Sequence, residues 1–209
     1  FNVKASGLYQ MDPDAFVGEV GDRDWRGMIQ TTGSFRPAEN WVAGWSYTTF
    51  TDAAYLRDYL YDEGKASQNS VYATYLEQDR YFDIRLQQFR ELGETITWEL
   101  QERQGAALPN VRYDEIIRLG EGRGQIELTG RLLNIVREDD HWTAPNGVPH
   151  ILGFEGNKTH LMGLAAWRDQ WIGPMGVVAT PYVGVRADAA SYDGESDHPL
   201  SPDSTSLFS

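Results

Sequence analysis

Apolar and polar residues alternate with a period of two along most of this chain. In Trp41 to Phe50, the residues Trp41, Ala43, Trp45 and Tyr47 share one face, while Val42, Gly44, Ser46 and Thr48 share the other. From Tyr81 to Phe89, Phe82, Ile84 and Leu86 alternate with Asp83, Arg85 and Gln87. Trp25 to Phe35 sets Trp25, Gly27, Ile29, Gly33 and Phe35 against Arg26, Gln30, Thr32 and Ser34. Val177 to Asp188 sets Val177, Ala179, Pro181, Val183, Val185 and Ala187 against Thr180, Tyr182, Gly184, Arg186 and Asp188. Successive side chains of a strand point to opposite faces, so this pattern predicts β-strands with one wet side. Weaker alternation marks Asn2 to Gln10, Asn69 to Glu77, Pro109 to Arg118 and Gln125 to Arg137. The last of these slips at Leu132–Leu133, where a bulge is expected. His160 to Trp171 is nearly apolar on both sides. The expectation is about eight strands, most of nine to twelve residues.

The connections follow a rhythm. Short ones, rich in Gly, Pro and small polar residues, are expected at Arg36–Asn40, Gln78–Arg80, Leu119–Gly124 and Ile172–Gly176. Long ones are expected at Met11–Asp24, Thr51–Gln68, Arg90–Leu108 and Glu138–Lys158, and Ser201 to Ser209 reads as loop. Long and short alternate, so every long loop falls at one end of the strands. A soluble sandwich has no reason for that arrangement. An outer-membrane barrel has tight turns on one side and longer loops on the other, and tilted strands of about ten residues cross its hydrocarbon layer. The predicted fold class is therefore all-β: an antiparallel, up-and-down transmembrane β-barrel segment.

Composition sharpens this picture. With 209 residues and a net charge of −13, the chain looks at first like a soluble acidic domain. Divided along the chain, the long loops carry −4, −2, −2 and −3 and the tail from Asp188 carries −5, which leaves strands and short turns at +3. The acidity thus collects at one end. Clustered Lys and Arg for nucleic-acid phosphates are absent, so no nucleic-acid partner is expected. There is no cysteine, which excludes thiolate chemistry and Cys-based metal sites. The aromatic residues Phe35, Trp41, Tyr75, Tyr81 and Trp171 adjoin short turns, as in an interfacial girdle; aromatic enrichment of strands accounts for them equally well.

Catalytic, cofactor and metal sites are not expected. His141, beside Asp139 and Asp140, has the only suggestive surroundings of the four histidines, and reads as a solvated loop residue. Gly120–Gly124 lacks the order of a phosphate loop and reads as a turn. Asp114 and Glu115 point to opposite strand faces and cannot act on one bond. The wet face instead carries lumen-facing candidates: Arg26, Gln30, Asp83, Arg85, Gln87, Arg112, Arg131 and Arg186. Its opposite carries lipid-facing candidates: Trp41, Trp45, Tyr47, Phe82, Ile84, Leu86, Val183 and Val185. A mixed-charge wall of this kind suits a hydrated polar cargo such as saccharide, and mutual pairing of its charges explains any single residue as well.

Several short motifs, in this order, carry a resemblance. They are Asp22-Arg23-Asp24-Trp25-Arg26-Gly27, Asn40-Trp41, Thr51-Asp52-Ala53-Ala54-Tyr55-Leu56-Arg57-Asp58-Tyr59, Tyr81-Phe82 with Gln87-Gln88-Phe89, Leu108-Pro109, Gly130-Arg131-Leu132-Leu133-Asn134 and Arg186-Ala187-Asp188 with Tyr192. From about Tyr9 to Asp193 the chain resembles the LPS-assembly outer-membrane protein family (LptD), its alphaproteobacterial branch in particular. The resemblance implies a non-enzymatic component of the cell outer membrane that places lipopolysaccharide in the outer leaflet. The implied partners are lipopolysaccharide, the plug lipoprotein LptE, periplasmic LPS-bridge components and outer-membrane lipids. It also implies that residues 1–209 are a fragment: an N-terminal-half portion of one large barrel, without the periplasmic jelly-roll domain and the closing strands. A stand-alone porin-like or small outer-membrane barrel, and a secreted all-β carbohydrate-binding module, are the alternatives.

Overall fold

A computed structural model describes residues 1–59, 66–194 and 205–208. Its main feature is one antiparallel sheet of ten strands. These are β1 (Asn2–Tyr9), β2 (Trp25–Phe35), β3 (Trp41–Phe50), β4 (Ala66–Glu77), β5 (Arg80–Glu91), β6 (Ala106–Arg118) and β7 (Gln125–Arg137). After a side hairpin of β8 (His141–Thr143) and β9 (His150–Gly153) come β10 (Gly156–Arg168), a second small hairpin of β11 (Trp171–Ile172) and β12 (Val178–Ala179), then β13 (Tyr182–Asp193) and β14 (Thr205–Phe208). Each strand of the sheet pairs with its sequence neighbour in the sheet, giving an up-and-down order with β1 and β14 at the edges. It is one continuous sheet rather than the two packed sheets of a sandwich.

The eight alternating segments and the nearly apolar His160–Trp171 each supply a strand of this sheet, and β14 is the tenth, in a tail expected to be loop. Three further expectations are corrected. The short turn at Ile172–Gly176 is the tip of a longer connection, so β10 ends at Arg168 and β13 starts only at Tyr182. Pro174 and Pro181 have no N–H for a ladder, and Met175 and Gly176 turn the chain with φ of 63° and 78°. The same shift carries β13 on to Asp193, so Asp188 belongs to the sheet rather than to the acidic tail; Glu195, Asp197 and Asp203 lie outside the described residues. Finally, β7 is unbroken at Leu132–Leu133, and the bulge lies on its neighbour. Between Ala107 and Asn110 the β6 register shifts against β7. Pro109 has no N–H to offer there, and the Asn134 side chain donates to the Leu108 carbonyl at 2.7 Å.

The apolar core is not spread over the sheet. Met28, Phe50, Ala53, Tyr55, Leu56 and Leu92 form one buried cluster, with Leu8 and Ile96 packed against it. It sits at the long-loop end, where three connections fold over the polar face. The Val20 amide donates to Glu94 O at 3.2 Å and the Gly93 amide to Ala53 O at 3.0 Å, tying the loop after β1 and the loop after β3 to the loop after β5. Short helices α1 (Tyr55–Asp58) and α2 (Trp98–Glu102) lie in the last two, and the Thr97 side chain caps α2 by accepting from the Leu100 amide.

Candidate functional site: a two-faced sheet and its loop cap

Directly paired residues in an antiparallel ladder share a face, so the register sorts side chains without ambiguity. One row runs Thr74↔Asp83↔Arg112↔Arg131↔Met162↔Asp188. A second runs Gly44↔Tyr72↔Arg85↔Asn110, and a third Tyr81↔Asp114↔Thr129↔Leu164↔Arg186. Gln30 opposes Thr48, and Ser46, two residues before Thr48 on β3, leads through Ser70 to Gln87. All eight residues proposed for the polar side therefore lie on one face. The other face carries the row Trp41↔Tyr75↔Phe82↔Tyr113↔Gly130↔Gly163↔Ala187. Ile84, Leu86, Trp45, Tyr47, Val183 and Val185 share that side by the same parity.

On the polar face, acids and arginines pair chiefly along a strand, at i and i+2. Arg85 Nε donates to Asp83 at 2.7 Å, Arg112 Nε to Asp114 at 2.5 Å, and Arg186 Nε to Asp188 at 2.6 Å. Cross-strand contacts extend the network: Thr74 and Thr129 donate to Asp83 and Asp114 at 2.5 and 3.0 Å, and Arg131 approaches Asp114 at 3.8 Å. The Arg85 and Arg112 guanidiniums lie 5.5 and 5.2 Å from the Tyr72 and Tyr81 ring centres. Tyr81 thus turns to the polar side, away from Trp41, Tyr75 and Phe82 on the apolar face. There Trp41 sits 5.3 Å from Tyr75 and 6.1 Å from Phe82, centre to centre. Glu115, on the apolar side of β6, pairs with Arg80 at 2.6 Å and accepts from Tyr113 at 2.5 Å.

Arg26 differs from the other candidates. It is on the polar face, but the loop cap encloses it completely. Asp52 accepts from its Nε at 3.0 Å and its Nη2 at 2.7 Å, and Asp58 accepts from Nη2 at 2.7 Å. The side chains of Arg26 and Asp52 are both wholly shielded from solvent. Thr51 Oγ1 donates to Asp52 at 2.9 Å and accepts from the Gly27 amide at 3.0 Å. The rings of Phe16, Tyr55 and Tyr59 stand 5.6, 5.7 and 5.6 Å from the guanidinium carbon. A cleft of about 260 Å³ opens beside this cluster, with Val20, Phe50, Ala53, Ile96 and Trp98 as its apolar walls.

Asp52, Tyr55 and Leu56 were part of a recognisable motif whose role the sequence did not show. They prove to be the buried centre of the loop cap, with Tyr55 OH also 2.9 Å from Ser6 Oγ. No alternation marks them; the family motif was the only signal. His141 lies in the β8–β9 hairpin, where burial and the neighbouring Arg137 hold its imidazole below the usual histidine range. Among the described residues, no group of three His, Cys, Asp or Glu side chains is placed to hold a metal ion, and no helix is long and apolar enough to cross a membrane.

A broad up-and-down antiparallel sheet with one self-paired polar face and one apolar face defines an all-β protein built on a single two-faced sheet. Residues 24–206 match the family model LptD, LPS transport system D, and the chain belongs to that family. Comparison with curated proteins gives no match. The family is a transport and assembly component of the outer membrane rather than an enzyme family, so this chain is involved in lipopolysaccharide transport and assembly there.

Proposed function

We propose that this sheet is part of the wall of a transmembrane β-barrel that inserts lipopolysaccharide into the outer leaflet, and that the chain is a fragment of that barrel, of the alphaproteobacterial type. On this reading Gln30, Asp83, Arg85, Gln87, Arg112, Arg131 and Arg186 line the lumen, and Arg26 fastens a loop cap across its long-loop end. Trp41, Trp45, Tyr47, Phe82, Ile84, Leu86, Val183 and Val185 face lipid. The polar wall is the surface available to the hydrated sugars and to the plug lipoprotein LptE, and the short-turn end faces the periplasmic bridge. The observation that carries the reading is the register: across successive strands it keeps most charged pairs on one face and most aromatic and aliphatic residues on the other. Such a division has little use in water on both sides, and it is what a wall between lipid and an aqueous lumen requires.

Photo-crosslinking in the full-length protein tests it. A photoreactive residue at Gln87 or Arg131 is expected to capture lipopolysaccharide or the plug protein, and one at Ile84 or Val183 to capture phospholipid. Equal labelling from both faces would overturn the proposal.

A further inference from the structure

The ten-stranded sheet does not end evenly at its short-turn side. The β10–β13 pair runs on past Arg168↔Tyr182 into β11 and β12 without an inserted residue, since Trp171↔Ala179 and Ile172↔Val178 keep the same register. The Asp169 amide donates to Pro181 O at 3.2 Å and the Gly173 amide to Val177 O at 2.7 Å, so the ladder continues to the tip. At about 3.4 Å per residue, this ribbon extends roughly 17 Å beyond the last main-sheet pair. Its composition is unusual for a projection into water. Gln170 to Val185 contains no charged residue. Trp171, Ile172, Val177 and Val178 are all more than half exposed, and Met175 at the tip is 99% exposed.

We propose that this hairpin, residues 171–179, is a membrane-interface anchor that lies against the headgroup and acyl boundary of the leaflet at the short-turn side. The inference rests on the barrel-wall reading above. Three observations choose lipid as the occupant. The first is continuity: on the apolar parity of β13, the run Val177, Ala179, Pro181, Val183, Val185, Ala187 and Ala189 is unbroken. Twelve steps along a strand tilted by about 45° rise roughly 29 Å, somewhat more than an apolar band of about 25 Å. The surplus falls at the hairpin. Second, the tip offers Trp171 and Met175 with no ion-pairing group, which gives a polar partner little to recognise. Third, the one acid at its base, Asp169, is occupied: it accepts from the Trp171 indole at 2.7 Å, fixing an amphipathic ring where interfacial tryptophans sit.

The test uses the full-length protein in phospholipid nanodiscs, with an NBD probe on a cysteine introduced in turn at Met175, Val183 and Glu121. The chain has no cysteine of its own, and the unsubstituted full-length protein taken through the same labelling sets the background. Spin-labelled lipids quench the probe by depth. Met175→Cys is expected to show blue-shifted emission, quenched more by a headgroup label than by one deep in the acyl chain. Val183→Cys should be quenched best by the deep label, and Glu121→Cys, in the neighbouring turn, should stay water-like. An unquenched Met175→Cys beside a quenched Val183→Cys overturns the anchor and leaves the barrel wall standing, whether its emission is water-like or blue-shifted by a protein partner. If Val183→Cys is unquenched as well, the barrel-wall reading falls and the anchor with it.

Discussion

Asp52→Ala tests the loop cap most directly. Arg26 and Asp52 are both fully shielded, and the substitution removes two of the three hydrogen bonds that the guanidinium donates to carboxylates. Breaking a buried pair by deleting one partner typically costs about 3–5 kcal/mol, because the other charge stays buried. Here Asp58 remains at 2.7 Å and three rings still surround the cation, which places the expected loss near the lower value, about 3 kcal/mol. The loss should appear as local opening. Amides bonded within or onto the cap, those of Asp58 (to Ala54 O, 2.9 Å) and Gly93 (to Ala53 O, 3.0 Å), should exchange with deuterium roughly a hundredfold faster in the full-length protein. Amides in the middle of β5 and β6 should keep their rates. The double variant Arg26→Met, Asp52→Leu should recover most of the protection, since an apolar pair carries no desolvation cost. Unchanged exchange at Gly93 in Asp52→Ala, or a double variant no better than the single one, would refute the view that charge pairing closes the cap.

Three further outcomes are expected. Ile84→Lys should destabilise the full-length protein in a bilayer by about 2–4 kcal/mol if Ile84 is near the midplane, whereas Arg85→Gln should cost far less; denaturant unfolding in lipid reads both. Gly33→Ala should displace the Trp45 ring, because a Cβ at Gly33 would stand 2.5 Å from its Cζ2; a loss of roughly 1–3 kcal/mol and a changed near-ultraviolet tryptophan signal should accompany it. In the β8–β9 hairpin, His141 is favoured in its neutral form by burial and by Arg137 and Arg103, against the opposite pull of Glu91. Its folded pKa lies below its unfolded one, so this contribution is full above about pH 6.5 and is lost as pH falls through the folded value. The protection factors of the hairpin amides, which take the intrinsic pH dependence out of the exchange rate, should therefore fall at about pH 5, and His141→Gln should remove most of that difference.

Strand identity and facing were legible in the sequence because both depend on a period of two, and a two-faced sheet writes that period into its residues. Trp41–Phe50 and Gln125–Arg137 could be bounded to the residue for this reason. The β10–β13 tip could not, since a ribbon apolar on both sides has no alternation to lose; only the two prolines marked where the main ladder stops. The bulge showed the opposite difficulty. Its signal, an apparent slip at Leu132–Leu133, was read on β7, while the extra residue sits on the strand opposite at Leu108–Pro109. The loop cap was invisible to periodicity altogether. Asp52, Tyr55 and Leu56 are buried by contacts among three connections far apart in sequence, and no local pattern encodes such packing. Alternation put Arg26 among the polar residues of its strand and was silent about its enclosure, because enclosure depends on Asp52 and Asp58 arriving from another loop.

On the proposed barrel-wall reading, the self-pairing of the polar face bears on how a wall can be charged without holding its cargo. Arg112 and Arg131 oppose each other directly across β6 and β7, an unfavourable placement for like charges, and Asp114 lies beside both, at 2.5 and 3.8 Å. With Asp114 present, the two guanidiniums are partly neutralised and remain hydrated. Asp114→Asn leaves them facing one another with Asp83, directly opposite Arg112 across β5 and β6, as the next acid. The structural cost should be small, below about 1 kcal/mol, because the pairs are partly exposed. The functional effect should be larger, since two adjacent arginines make a bidentate site for the phosphates of a passing lipopolysaccharide. Delivery to the outer leaflet is expected to slow while crosslinking of lipopolysaccharide from this face increases, and raising the salt concentration should reduce both effects. Normal delivery in Asp114→Asn, with unchanged crosslinking, would mean that the acid matters only for strand pairing and that cargo does not travel along these rows.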